Sequence, residues 1–205
     1  MSILMYDYDY TDKVLKSLRR KIINRFSKFK GLVDFDELNV LNNAKEMFEG
    51  LESDAEEAYM RIGKHYAEYY DGERLITKKW LNGYLTSYNP VTTYQYKNEA
   101  KRKMYRMYEA FMATLLLAEI DKCMRLWYIQ VKQASDDITD KAIIDSARNV
   151  GYTHVKWVTE HDNKVCAECD ELDGRIFPID EVPDKPHYNC RCRLEPVGMT
   201  TVRDN

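Results

Sequence analysis

The sequence predicts an α+β protein: a mostly α-helical, elongated region at residues 1–150, then a small β-rich module at 151–205 stapled by a metal. Three observations carry this. Apolar residues recur at helical spacing through the first part of the chain. After Gly151 the texture changes to alternating β-branched residues and frequent prolines. Four of the five cysteines fall between positions 166 and 192, in a stretch too short to bury an adequate core unaided.

The elements follow in order. A helix is expected from near Lys13, capped by Thr11 or Asp12, with Leu15, Leu18, Ile22 and Phe26 on one face and a stop near Lys30-Gly31. Asp34 or Asp36 can cap the next, whose stripe is Leu38, Leu41 and Leu51. Gly50 interrupts it, and Ser53 with Glu56 forms a capping box that predicts a restart. The helix then runs through Tyr59, Ile62, Tyr66 and Tyr69 to Asp71-Gly72. A short helix fits 78–85, closed by Asn89-Pro90. A long helix follows over 97–133, carrying Met104, Tyr108, Met112, Leu115 and Leu116. A last one fits 139–150, with Gly151 as its C-terminal cap. Residues 154–160 alternate as a strand does. Turn signals stand at Ala167-Glu168 and Asp173-Gly174.

Composition narrows the class. Of 205 residues, 44% are apolar and 32% charged, with eight Gly and five Pro. That excludes a disordered, collagen-like or low-complexity chain. The N-terminus lacks the basic start and apolar stretch of a secretory signal. The most apolar run, near 111–120, is too short to span a bilayer. Synthesis and assembly in a reducing cytoplasm are therefore expected, where clustered cysteines serve more often as metal ligands than as disulfides.

The cluster reads Cys166-x2-Cys169-x17-His187-x2-Cys190-x-Cys192. Two ligands on a tight turn and a second pair across a loop match a tetrahedral zinc site. Cys166, Cys169, His187, Cys190 and Cys192 are five candidates for four places, and the sequence does not choose between His187 and Cys192. A filled four-ligand shell has no open position, so the zinc would be structural. A redox dithiol wants a strand–turn–helix setting, against which the proline-rich context argues. Disulfides and reduced structural thiols stay open as alternatives. Cys123, amid apolar helical neighbours, reads as a buried thiol.

These residues carry a resemblance. Trp157, Asp162, Cys166, Cys169, Leu172, Gly174 and the run Pro186-His187-Tyr188-Asn189-Cys190-Arg191-Cys192 occur in this order. Residues 157–196 thereby resemble the C-terminal signature of the phage Mu F-like minor head proteins, also called head morphogenesis proteins of tailed bacteriophages. That family often has Pro where this chain has Tyr188. Its helical part is variable, so the resemblance says little about residues 1–150. It implies a non-enzymatic minor capsid protein in the virion, inside the capsid near the portal after assembly in the host cytoplasm. It further implies portal and other head proteins as partners, several copies per particle, and a part in head morphogenesis or DNA packaging and delivery. Longer relatives carry toxin enzyme domains after the module, and none is expected here. Arg191, between two candidate ligands, is expected to hold Asp162 or a carbonyl rather than DNA or portal.

Charge is patterned although the net charge is only −3. Residues 13–30 hold Lys13, Lys16, Arg19, Arg20, Lys21, Arg25, Lys28 and Lys30 and no acid, a basic amphipathic helix that reads first as a solvated face on a core-packed helix, and otherwise as a surface for packaged double-stranded DNA, an acidic partner or a membrane surface. A second basic run lies at 97–106, and the acidic run 46–57 can pair with either. Tyr6, Tyr8 and Tyr10 alternate with Asp7 and Asp9, which fits an extended docking arm and a disordered terminus equally. A DNA-binding zinc module with a helical partner domain is the competing reading. An enzyme built on His161, Asp162 and Cys166 is disfavoured: no oxyanion turn, phosphate loop, dinucleotide fingerprint or His-Glu-x2-His accompanies them. The many helical carboxylates read as solvated faces.

Overall fold

A computed structural model describes residues 9–32, 37–86, 117–187 and 190–199. Tyr6, Tyr8, Asp34, Asp36, Asn89-Pro90, the basic run 97–106 and the start of the long helix lie outside them. The chain is mostly helical, with a small antiparallel sheet near its C-terminal end, as expected. Helix α1 is Asp9–Leu32, α2 is Glu37–Glu68, α3 is Lys78–Thr86, and α4 is Leu117–Asn149. A 3-10 turn at Glu73–Leu75 links α2 to α3.

Helices α1, α2 and α4 pack on one another. Ile120, Cys123, Trp127, Val131, Ala134 and Ile138 repeat at three- and four-residue steps, so one stripe of α4 stays against its neighbours. Leu15, Leu18, Ile22, Phe26 and Phe29 of α1 and Leu51, Ile62 and Tyr66 of α2 complete this core. Phe48 bridges it, with its ring centroid 5.6 Å from that of Trp127.

Three expected helix boundaries are corrected. Helix α1 begins at Asp9, so Thr11 is inside it and not its cap. Its buried hydroxyl lies 3.1 Å from Tyr66 Oη and 3.0 Å from Thr139 Oγ1, tying three helices together. Helix α2 runs unbroken through Gly50 and the Ser53–Glu56 box. The glycine leaves room for Arg25, whose guanidinium occupies the place a Cβ would take and pairs with Asp54. Helix α4 is likewise continuous across 133–139. There Ser135 and Thr139 turn their hydroxyls back onto Val131 O (2.9 Å) and Ser135 O (3.0 Å), which keeps polar groups satisfied inside a buried helix. Cys123 is buried as expected.

Gly151, at φ 93°, turns the chain out of α4. Strand β1 (Tyr152–Val158) then lies between β2 (Ile176–Pro178) and β3 (Arg193–Met199), antiparallel to both. Val155, Trp157 and Leu194 face inward. Val155 packs with Ala147, and Ile144 of α4 touches both the Val155 group and the Trp157 group. The floor of the sheet is thus the last turns of α4. The loop after β2 is pinned there twice. Arg148 reaches Asp180 (2.8 Å), and Lys185, only 7% exposed, meets Asp140 at 2.6 Å. Asp140, at 8% exposure, corrects the expectation that the helical carboxylates all sit on solvated faces.

Candidate metal centre

After β1, Asp162 accepts the Lys164 backbone N–H at 2.9 Å and turns the chain towards Cys166. Cys166 is the N-cap of helix α5 (Ala167–Leu172), where its Sγ accepts the Cys169 N–H at 3.4 Å. The Ala167-Glu168 turn signal is therefore the first turn of a short helix. Strand, turn and helix do occur here in sequence, so context does not by itself exclude a redox dithiol. What distinguishes the site is the further side chains that join the pair.

Just before β3, Cys190 and Cys192 are buried while Arg191 between them is exposed. His187 Nε2 lies 3.1 Å from Cys169 Sγ, and Cys190 Sγ lies 3.6 Å from it. The five expected residues come together as two groups, Cys166–Cys169–His187 and Cys169–Cys190–Cys192, each with ligand atoms within 4.8 Å of one another. Cys169 is shared by both. All five cysteines of the chain are free thiols. Tetrahedral zinc with 2.3 Å Zn–S bonds sets sulfurs about 3.8 Å apart, close to the observed Cys169–Cys190 separation. The donor set and its spacing fit a soft or borderline cation.

The protons on these sulfurs are unequal. Burial, with the hydrogen bonds that the Cys169 thiol makes to Cys192 and Cys166, pushes Cys169 up to about 12 against a lowering from Cys190. The hydrogen bond between Cys190 and Cys192 holds the proton on Cys190, helped there by burial, and favours the thiolate at Cys192 against burial. A cation bound here would displace those protons, since the thiolate is the ligand.

Arg191 grips Asp162 through two bonds of 2.7 and 2.6 Å, the partner expected from the sequence. The Arg191 hydrogen bonds, with that from the Lys164 backbone, lower Asp162 to about 2. A depressed acid contributes stability above its unfolded value, near 3.9, and loses it as pH falls through the folded value. In an NMR titration, the Asp162 carboxyl should therefore move with a midpoint near 2. Arg191→Ala should return it towards about 3.9. A wild-type midpoint at the ordinary value would show that the pair does not persist in solution.

The basic face of α1 is largely answered from within. Lys21 pairs with Asp54 (3.3 Å) and Glu57 (2.8 Å), Arg25 with Asp54, and Lys30 with Asp121 (3.5 Å). Arg19 lies over the Tyr128 ring. Lys13, Lys16, Arg20 and Lys28 are exposed. The acidic run 46–57 thus meets the first basic run inside the bundle. Sequence reasoning missed Lys185 and Asp140. Nothing in the order Asp184-Lys185-Pro186 separates a buried lysine from a surface one.

Among the described residues no helix is long and apolar enough to cross a membrane. Searches of curated proteins and of solved structures returned no match. A family comparison does: residues 121–195 match the Phage Mu protein F like family. The match contains the whole Cys/His cluster and reaches back into α4, well before the stretch that first suggested the resemblance. Such a family points to a role in phage head morphogenesis, with capsid-associated partners and a place in the virion. From Asp121 in α4 to Glu195 in β3, the chain is similar to the Phage Mu protein F like family.

Proposed function

We propose that the chain is a non-enzymatic minor head protein of a tailed phage. It associates with the portal inside the capsid and acts in head assembly or in packaging and delivery of DNA. Zinc is its structural ion. The observation that carries this reading is the family match, which covers the Cys/His cluster together with the end of α4 beneath it. Two thiol-containing groups joined at Cys169 supply enough ligands to close a four-coordinate shell, leaving no position for a reactive water. The zinc would hold the two buried cysteines before β3 against α5, closing a module with few buried apolar side chains of its own. Packaged DNA would meet Lys16, Arg20 and Lys28, which remain exposed on α1.

The test is mass spectrometry of purified heads combined with capture of the chain by purified portal. Stable recovery in heads and portal binding are expected. Absence from heads together with no portal binding would sink the proposal.

A further inference from the structure

Lys185 is the least expected charge in the molecule. Its side chain is 8% exposed, and its ammonium sits 2.6 Å from Asp140 Oδ2. Asp140 lies in the last third of α4. The lysine stands two residues before His187 and five before Cys190, on the loop that delivers both. Asp136 and Asp137 also act on it, while Asp136 has its own partner, Lys132, at 2.9 Å. The Lys185 charge also acts on the sulfurs of Cys190 and Cys192.

A divalent cation with three thiolates carries a net charge of −1, and with four, −2. Enclosed as Cys169, Cys190 and Cys192 are, that excess is poorly screened by solvent. The Lys185 charge is shared with Asp140, so the sulfurs meet the positive end of a buried ion pair, and that pair fixes the ligand loop to α4. Outer groups of this kind tune metal affinity by about 10–100-fold.

We infer that Lys185, held by Asp140, is a charge-balancing and positioning residue of the Cys/His metal centre. The inference rests on the proposed metal reading. The experiment is Co2+ titration of the reduced full-length chain, followed by its d–d and thiolate-to-metal absorption. The variants are Lys185→Met, the volume-matched pair Lys185→Met with Asp140→Leu, and Lys164→Met at the rim of the same cleft. Lys185→Met should weaken Co2+ binding at least about tenfold. The double variant should recover wild-type helicity, because apolar packing replaces the ion pair, yet keep the weakened binding. Lys164→Met should bind as the parent does.

Wild-type affinity in the double variant would reduce Lys185 to a packing role and overturn the inference. Equal weakening by Lys164→Met would do so too, by assigning the effect to general charge. Failure of the unsubstituted chain to take up Co2+ would overturn the metal reading itself, a result distinct from either.

Discussion

Cys169→Ser is expected to abolish stoichiometric metal uptake and to unfold the sheet module, with a larger effect than serine at any other ligand position. Cys169 alone belongs to both ligand groups, with His187 Nε2 at 3.1 Å and Cys190 Sγ at 3.6 Å. Of the five four-membered shells that can be drawn from these residues, four contain Cys169, and the fifth lacks the one residue close to both groups. Cys166→Ser or Cys192→Ser leaves three members of the set around Cys169, and each should weaken binding by less. Structural zinc is worth about 10–16 kcal/mol of apparent binding free energy in small modules, far more than the Trp157 and Leu194 cluster can replace. The readouts are metal content by mass spectrometry and the near-ultraviolet dichroism of Trp157. The far-ultraviolet signal of α1, α2 and α4 should persist, because their core is a separate cluster. Full metal content in Cys169→Ser would remove Cys169 from the shell.

The helices were legible because their burial is periodic: Leu15, Leu18, Ile22 and Phe26 face the core where their spacing puts them. Boundaries failed where tertiary contact overrode a local signal. Gly50 reads as a breaker until Arg25 is seen lying across it. Ser135 and Thr139 read as a gap until their hydroxyls are seen bonded one turn back. Thr11 looks like a cap, and its actual partners are 55 and 128 residues away. Spacing found the five cluster residues, because ligand chemistry restricts residue type. It could not show that Cys169 lies between two groups, since that depends on how α5 and residues 187–192 meet in space.

The family match beginning at Asp121 has a physical counterpart in α4. Ile144 and Ala147 of α4 pack beneath Val155 and Ile179, and Asp140 holds Lys185. Without those turns the sheet would expose its inner face, and the ligand loop would lose its anchor. The helix end and the Cys/His module therefore form one buried unit, although their compositions differ sharply on either side of Gly151.

Two carboxylates one turn apart on α4 should respond to amide substitution in opposite directions. Asp140→Asn is expected to destabilise the folded chain by about 3–5 kcal/mol, because it strands a buried ammonium. Burial alone would lower Lys185, but the Asp140 charge and hydrogen bond raise it above its ordinary value. The stabilisation from this lysine is thus complete below about pH 10.4 and is lost as pH rises through its higher folded value. Asp137 is the reverse case. Its Oδ2 is enclosed although the residue as a whole is half-buried. Burial, then the Asp140 charge, raises its carboxyl well above the usual range. The folded state holds that proton more tightly than the unfolded chain does. Its ionisation therefore carries no penalty below about pH 4 and a growing one as pH rises towards the folded value. Asp137→Asn should accordingly raise stability at neutral pH, with the difference from the parent closing as pH falls towards 4. Urea unfolding of both variants across pH, at fixed metal, tests the pair. Destabilisation by Asp137→Asn at neutral pH would mean that its carboxylate, like that of Asp140, is held by a cation.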